Sequence, residues 1–241
     1  MARVLRETGR VWGQVLDGVM PGAVDAGLAA VGSWSADGLE DYCPRCGASA
    51  GPGAVTPRGC AFCVDEKIRW DRITRLSAYA EPVDSWVKAM KFGAQWNWGR
   101  FFGKHLAEVI GEPFDKSKVV VCPVPMPWLR RWGRGFNQAK LIAEALARAR
   151  GLPSIELLRR TRHTAPQTAV APSQRPANVR GSLAVRGIDL TGYEVWLIDD
   201  VKTTGSTLTA CTRLLKKAGA RSVHAAVAAV ADPKGQQFRA L

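Results

Sequence analysis

The sequence has no apolar run long enough to cross a membrane. The longest purely apolar run near its end, residues 225–231, has seven residues, whereas a spanning helix needs about 20. A signal peptide is not indicated either, because Gln14 and Asp17 interrupt the apolar stretch that follows Arg3 and Arg10. The apolar residues of this stretch recur at helical spacing. We therefore expect an amphipathic N-terminal helix and a cytoplasmic protein without membrane insertion.

Acidic residues are scarce, with 21 Asp and Glu against 34 Lys and Arg, which gives a net charge of +13. The positive charge is concentrated in residues 128–186, which hold twelve basic residues and two acids. Such a stretch attracts polyanions. Nucleic acid, a phosphorylated small molecule and an ordinary solvated surface all fit this charge, so composition leaves the three alternatives open.

Histidine is also rare, and it is the side chain used most often as a general base. The three copies are His105 in a helical pattern, His163 in a basic loop and His224 in a predicted strand. None has neighbours in the sequence that indicate catalysis. The sequence therefore identifies no general base.

Strand and helix patterns alternate along residues 71–241. This alternation predicts an α/β domain with a mainly parallel sheet, flanked by helices, whose binding loops lie at the carboxyl edge of the strands. We expect a helical segment over residues 1–35 and a cysteine module over residues 36–70 to precede this domain. A mobile loop is expected within it, over about residues 160–180.

Four of the six cysteines form one cluster with the spacing C-x2-C-x13-C-x2-C: Cys43, Cys46, Cys60 and Cys63. Each pair places two thiolates on one turn, and two turns complete the tetrahedron that Zn²⁺ prefers. The intervening segment is rich in Gly, Pro and Ala and cannot bury a core, so a metal would supply folding free energy. Disulfides are the alternative. Without a secretion signal we expect a structural zinc ribbon.

The most informative stretch is VWLIDDVKTTGST, residues 195–207. An apolar strand ends at Asp199 and Asp200, a small hydroxyl-rich turn follows, and a helix is predicted from about Ser206 to Ala218. The first N–H groups of a helix are unpaired and favour phosphate, and paired acids suit the hydroxyls of a sugar. The order of these features predicts a sugar-phosphate site. The alternative is an ordinary turn in which Ser or Thr caps the helix.

A second segment with the same organisation is CPVPMPWLRRWGRGFNQ, residues 122–138. It follows a predicted strand, precedes a helical pattern and clusters Arg130, Arg131 and Arg134 beside two glycines. Arginine presents a planar fork that fits phosphate oxygens. The segment is therefore a candidate pyrophosphate site, with solvated arginines in a proline-rich loop as the alternative.

These motifs together resemble the ComF family of type I phosphoribosyltransferase-like proteins. The resemblance rests on the four-cysteine ribbon, on PVP…RGFNQA and on DDVKTTGST, and it covers most of the chain from Cys43 to Ala231. It implies a type I phosphoribosyltransferase-like fold that binds phosphoribosyl pyrophosphate (PRPP). Residues 22–32 contain no cysteine, unlike many members of the family, so one metal site is expected.

The resemblance also implies roles for particular residues. Asp199 and Asp200 would contact the ribose hydroxyls, while Arg131, Arg134 and Lys91 would hold pyrophosphate. The 5′-phosphate would be bound by Lys202, Thr203, Thr204, Gly205, Ser206 and Thr207. Mg²⁺ would accompany PRPP, the 160–180 loop would close as a lid, and the acceptor would be an unidentified nitrogen compound. The other function that the resemblance implies is a non-catalytic protein of DNA uptake that binds PRPP, nucleotides, single-stranded DNA or competence proteins. Trp128 and Trp132 are candidate surfaces on which bases could stack, with packed side chains as the alternative.

Overall fold

In a computed structural model of the protein, the described residues are 22–126, 135–161 and 183–232. The chain divides into two compact units, residues 1–35 and 36–241. Helix α1 (Gly22–Val31) is the described element of the first unit, and the amphipathic helix expected before it lies outside the described residues. Among the described helices, none is both long enough and apolar enough to cross a bilayer.

The second unit contains the remaining described helices and strands. The helices are α2 (Val83–Phe92), α3 (Asn97–Val109), α4 (Gln138–Arg150) and α5 (Ser206–Lys217). The strands are β1 (Arg72–Ala78), β2 (Val119–Pro123), β3 (Leu158–Arg160), β4 (Leu183–Val185), β5 (Glu194–Lys202) and β6 (Ser222–Val230).

Four strands form a parallel sheet in the order β1-β6-β5-β2. Its central strands β5 and β6 have long buried stretches, as expected for strands covered on both sides. Strands β3 and β4 form a separate antiparallel pair. The parallel sheet predicted from the alternating pattern is therefore confirmed.

Helices cover both faces of this sheet. On one face, Leu208 of α5 belongs to the same buried cluster as Leu197 of β5. Trp196 precedes Leu197 and so points to the opposite face, where the guanidinium of Arg150, at the end of α4, lies 5.7 Å from its ring centroid. The connection after β5 and the connection after β2 thus lie on different faces of the sheet.

Helices α3 and α4 approach each other closely at two glycines of α3. A Cβ added at Gly103 would lie 2.5 Å from both the Ala145 Cβ and the carbonyl oxygen of Ile142. At Gly99 it would lie 2.9 Å from the Leu141 Cβ. These distances leave no room for a side chain at Gly103, so its lack of a Cβ permits the close approach.

The cysteine segment is joined to the sheet through Arg75 of β1, a residue that is 2% exposed. Its guanidinium donates to the carbonyl oxygen of Gly47 at 2.7 Å and to the Oγ of Ser49 at 2.9 Å. It also forms ion pairs with Asp37 at 2.7 Å and with Asp232 at 3.7 Å. One buried cation therefore connects the cysteine segment, strand β1 and the chain that follows β6.

Candidate functional site

The carboxyl ends of β5 and β2 lie side by side at one edge of the sheet, and we call the space beyond them the crevice. The chain leaves β5 toward α5 on one face, and it reaches α4 on the opposite face after β2. Neighbouring parallel strands whose connections diverge in this way form the usual ligand site of an α/β sheet. The N–H of Val124 donates to the carbonyl oxygen of Ile198 at 2.8 Å, so the two strands remain together up to Asp199.

Strand β5 is longer than its sequence pattern predicted. The pattern predicts an apolar strand that ends at the acid pair, but β5 continues through both acids to Lys202. The extension pairs with β6, with Asp199 opposite Val227 and Lys202 opposite Val230. Because the acids lie within a paired strand, their backbone is held rigidly and their side chains point to opposite faces.

Lys91, in the last turn of α2, lies beside Asp200. The Lys91 Nζ is 3.1 Å from the Asp200 Oδ1, and the two side chains are 18% and 15% exposed. Burial of this degree reduces solvent screening, so the attraction is stronger than in an exposed pair. The structure thus brings Lys91 to the acid pair, while its contact with pyrophosphate stays a prediction.

Asp199 is half-buried and accepts a hydrogen bond on Oδ1 from the N–H of Asp200 at 2.9 Å. Burial, and then the neighbouring carboxylate of Asp200, raise the pKa of Asp199 to about 7. The same hydrogen bond and the charges of Lys91 and Arg160 act in the opposite direction. Asp199 therefore changes its charge near neutral pH, which matters for any ligand that needs the carboxylate.

The loop formed by residues 203–207 joins β5 to α5. Thr203 and Thr204 are exposed, and Gly205 is the N-cap of α5 with a φ of +72°. The expected alternative, a Ser or Thr cap, is not what the structure has, because the N-cap residue has no side chain. Ser206 donates its N–H to the Thr204 Oγ1 over a long 3.4 Å. The first turn of α5 therefore begins without a strong side-chain acceptor and can bind an anion.

Lys202 lies beneath this loop and is 8% exposed. Its Nζ donates to the carbonyl oxygen of Thr203 at 3.4 Å. Burial lowers the pKa of Lys202, and the nearby Cys46 and Asp232 oppose that shift. Lys202 thus supports the loop from the protein interior, and a direct contact with phosphate stays a prediction.

Several predicted residues lie outside the described residues. They include Arg131 and Arg134 of the candidate pyrophosphate segment, the stacking candidates Trp128 and Trp132, and residues 162–180 of the expected lid. Arg160, where the expected lid begins, donates from its Nε to the carbonyl oxygen of Pro125 at 3.1 Å. This hydrogen bond holds Arg160 beside the chain that follows β2.

The structure gathers Cys43, Cys46, Cys60 and Cys63 into one buried cluster, with all four Sγ atoms within 4.8 Å of one another. Three Sγ–Sγ distances are 3.6, 3.8 and 3.8 Å. A tetrahedron with zinc–sulfur bonds of about 2.3 Å has edges of about 3.8 Å, so the residues fit Zn²⁺. All six cysteines of the chain are free thiols, which rules out the alternative of disulfides in this structure.

A cavity of about 460 Å³ lies between the cysteine cluster and the 203–207 loop. Cys46 and Cys63 line one side, and Lys202, Thr203 and Thr204 line the other. Trp70 also lines it and is itself 5% exposed. Sequence reasoning missed Trp70, because a single tryptophan after the second cysteine pair belongs to no motif or periodic pattern.

The two histidines within the described residues, His105 and His224, have structural partners. His224 is buried in β6, where its ring nitrogens bond to the Arg72 Nε at 2.9 Å and the Thr74 Oγ1 at 2.8 Å. Burial lowers the pKa of His224 to about 3, so the ring is neutral. His105 lies 2.9 Å from the Glu108 carboxylate on α3. His163, the third histidine, lies outside the described residues.

Comparisons with known proteins agree with this architecture. Residues 133–239 match the family model described as a phosphoribosyl transferase domain. The chain is 30% identical to Competence protein F of Haemophilus influenzae over 190 residues, which cover 76% of this chain and 82% of that protein. It is 28% identical to Competence protein ComFC of Bacillus subtilis over 186 residues, or 75% of this chain and 74% of that protein.

A solved structure of the allosteric regulatory enzyme of purine biosynthesis is also similar, at 29% identity and a TM-score of 0.38. That similarity covers 54% of this chain and 25% of the other. The sheet, the crevice and the matched domain define the class, a protein with a phosphoribosyltransferase-type domain. Within this class the chain belongs to the ComF family.

Proposed function

We propose that this protein binds Mg²⁺-PRPP at the carboxyl edge of β5 and transfers the phosphoribosyl group to a nitrogen acceptor, with release of pyrophosphate. The observation that carries the proposal is the position of Asp199 and Asp200 directly before a loop that opens onto the start of α5. Carboxylates accept hydrogen bonds from sugar hydroxyls, and a helix start binds phosphate. One ligand with both groups satisfies the whole arrangement.

The proposed roles follow the geometry. Asp199 and Asp200 hold the ribose, and the 203–207 loop binds the 5′-phosphate with Lys202 supporting it from below. Lys91 lies next to Asp200 and supplies positive charge for pyrophosphate. Arg131 and Arg134 are proposed to complete the pyrophosphate site.

In the proposed reaction the acceptor nitrogen bonds to ribose C1 while the bond from C1 to the pyrophosphate oxygen breaks, and the bonding electrons leave with pyrophosphate. The transition state carries positive charge on the sugar ring, as in glycoside cleavage. Carboxylates beside the ribose stabilise that charge, and Lys91 stabilises the leaving group. Bound Mg²⁺ would neutralise the diphosphate, held mainly by oxygens of the substrate together with the carboxylates of the acid pair.

We further infer that the four cysteines hold a structural Zn²⁺ and that residues 36–70 form a metal-stabilised module beside a domain over residues 71–241. Four thiolates leave no open coordination position for chemistry, which supports a structural role. The six free thiols are compatible with the reducing cytoplasm.

Titration with Mg²⁺-PRPP tests the proposed function. By isothermal calorimetry, the zinc-loaded protein is expected to bind at micromolar to millimolar PRPP, and Asp200→Asn is expected to weaken binding about tenfold, or about 1.4 kcal/mol. The reason is that the substitution replaces the ionised acceptor for a ribose hydroxyl with a neutral amide, a loss expected to outweigh the release of Lys91 from its ion pair with Asp200.

The matched control is Asp189→Asn, which changes an exposed carboxylate that bonds to Thr191 before β5, away from the crevice. This variant is expected to bind like the unmodified protein. Absence of heat and of thermal stabilisation at millimolar Mg²⁺-PRPP contradicts the proposal. Pyrophosphate release in a screen of nitrogen acceptors then separates an enzyme from a protein that only binds PRPP.

The pH dependence of binding tests the role of Asp199. Ribose hydroxyls donate to the ionised carboxylate, whereas the unliganded group has a pKa of about 7. Below that pH a proton must be released on binding, so the affinity is expected to rise several-fold from pH 6 to pH 8. Phosphate groups of the ligand also lose protons in this pH range. Asp199→Asn is therefore expected to keep only the part of the increase in affinity that these phosphate groups cause. Equal pH profiles for the two proteins contradict a role for Asp199.

A second candidate function is favoured by the name competence protein that the two relatives carry and by the basic composition of residues 128–186. It is a non-catalytic protein that binds PRPP or single-stranded DNA during DNA uptake. Affinity for an oligonucleotide that falls steeply with salt, and that Asp200→Asn leaves unchanged, supports this function. Salt-independent or undetectable oligonucleotide binding opposes it.

A further inference from the structure

Trp70 connects the cysteine cluster to the backbone of the 203–207 loop. Its indole Nε1 donates to the carbonyl oxygen of Arg45 at 2.9 Å. Arg45 lies between Cys43 and Cys46, on the turn that presents both sulfurs. The N–H of Ile73 fixes the same turn by donating to the carbonyl oxygen of Pro44 at 2.9 Å. The turn and the indole are therefore held as one unit.

The Arg45 side chain connects this first turn to the second cysteine pair. Its guanidinium donates to the carbonyl oxygens of Arg58 at 2.5 Å and of Glu66 at 2.7 Å. It also approaches the Cys63 Sγ at 3.9 Å. The positive charge of Arg45 offsets the negative charge of four thiolates around a divalent metal. The backbone position that Trp70 contacts is therefore set by both halves of the metal site.

The opposite edge of the indole packs against Gly205. A Cβ at Gly205 would lie 2.8 Å from the Trp70 Cη2 and 3.5 Å from its Cζ3. Gly205 is buried, with a φ of +72°, and is the N-cap from which the first turn of α5 begins. Lys202 closes the same space from below, with its Cε 3.4 Å from that Cβ position. The ring therefore determines how far the loop can retreat toward the protein interior.

We propose that Trp70 is a positioning residue that couples occupancy of the four-cysteine metal centre to the shape of the 203–207 loop, so that metal and phosphate ligands strengthen each other's binding. The metal fixes the turn that bears Arg45, the indole transmits that position, and Gly205 then holds the loop N–H groups in the arrangement that receives phosphate. This inference rests on the proposed function for the identity of the ligand. Its structural part, that the metal orders the loop, is independent of PRPP.

Reciprocal linkage gives the first test. If zinc tightens PRPP binding by some factor, Mg²⁺-PRPP must tighten zinc binding by the same factor. Zinc affinity is measured by competition with a zinc-selective chelator that leaves Mg²⁺ in solution, with and without saturating Mg²⁺-PRPP. For the unmodified protein we expect a difference of about tenfold. For Trp70→Phe, which removes the N–H and shortens the ring, we expect the difference to fall to less than twofold.

Hydrogen exchange gives a second test that needs no PRPP. In the zinc-loaded protein, the amides of residues 203–207 are expected to exchange several-fold faster in Trp70→Phe than in the unmodified protein, at equal zinc content by mass spectrometry. The matched control is Trp98→Phe, because Trp98 is equally buried and donates its Nε1 to the Gln95 Oε1 at 3.1 Å. Trp98→Phe removes a similar part of an indole and one hydrogen bond, and we expect it to leave hydrogen exchange of residues 203–207 unchanged.

The outcomes separate the two proposals. Failure of zinc-loaded, unmodified protein to bind Mg²⁺-PRPP contradicts the proposed function and leaves hydrogen exchange to decide the coupling. Binding of Mg²⁺-PRPP with no zinc linkage overturns the coupling and spares the proposed function. Linkage and loop exchange that are the same in Trp70→Phe as in the unmodified protein overturn the role of Trp70. An equally large increase in the exchange rate of residues 203–207 in Trp98→Phe also overturns the role of Trp70.

Discussion

Replacing Arg75 with methionine is expected to lower the free energy of unfolding by about 3 kcal/mol, because it removes a buried cation and leaves two half-buried carboxylates without it. Arg75 is 2% exposed and lies 2.7 Å from Asp37 and 3.7 Å from Asp232. Burial raises the pKa of Asp37, and the charge of Arg75 acts against that shift. Methionine fills much of the same volume, so the loss reports the missing charge and hydrogen bonds. The measurement is denaturant unfolding of the zinc-loaded protein, followed by circular dichroism.

Lys216→Met is the control for removing a cation from an ion pair. Lys216 lies 2.8 Å from Asp71, but both side chains are more than a third exposed. Exposed pairs are worth less than about 1 kcal/mol. A loss in Arg75→Met no larger than in Lys216→Met would show that the buried cluster does not stabilise the fold. Because Arg75 also bonds to Gly47 and Ser49, we expect its loss to weaken zinc retention.

Replacing Gly103 with alanine is expected to destabilise the protein by about 3 kcal/mol, the upper range for inserting a methyl group into a packed contact. The new Cβ would lie 2.5 Å from the Ala145 Cβ and from the Ile142 carbonyl oxygen. Neither atom can rotate away, so α3 and α4 must separate. Helix propensity acts in the opposite direction, since alanine is favoured over glycine by about 1 kcal/mol within a helix.

Gly99→Ala on the same helix is the graded control. Its Cβ would lie 2.9 Å from the Leu141 Cβ and 3.4 Å from the Leu141 Cδ1, a less severe contact with side-chain atoms alone. We expect a smaller loss than at Gly103, again from denaturant unfolding. A gain in stability at Gly103 would mean that propensity dominates and that the helices are not in close contact there.

The elements that carry a local signal could be predicted from the sequence. Strand β6 over residues 222–230 carries such a signal, because a run of Ala and Val between turn residues is a local feature. The same holds for the end of α2, because the glycine at its C-cap, Gly93, is a local signal for the end of a helix. The paired cysteines predicted the cluster, because metal ligation uses short fixed spacings.

Other features depend on contacts between distant residues, and the sequence does not encode them locally. Strand β5 extends past Ile198 because β6 offers it a continuous partner as far as Val230. The local sequence around Arg75 gives no sign that this residue is buried. Its ion-pair partners, Asp37 and Asp232, lie far from it along the chain. The proposed role of Trp70 likewise depends on a distant contact, because Gly205 packs against its ring only in the folded protein.

The candidate site shows the same division. The acid pair and the 203–207 loop form one continuous segment, so their proximity followed from the sequence. Lys91 comes from a separate helix, and its contact with Asp200 requires the fold. The pKa of Asp199 depends on burial in the crevice, which no motif specifies.

The position of β1 at the edge of the sheet has a consequence for the order in which the protein is made. Its ladder partner in the sheet is β6, and Arg72 pairs with His224 across 152 positions of sequence. The four cysteines leave the ribosome long before that partner is synthesised. The four cysteines lie within 21 residues of one another, so a metal bound there would be held by local chain before β6 is available to pair with β1.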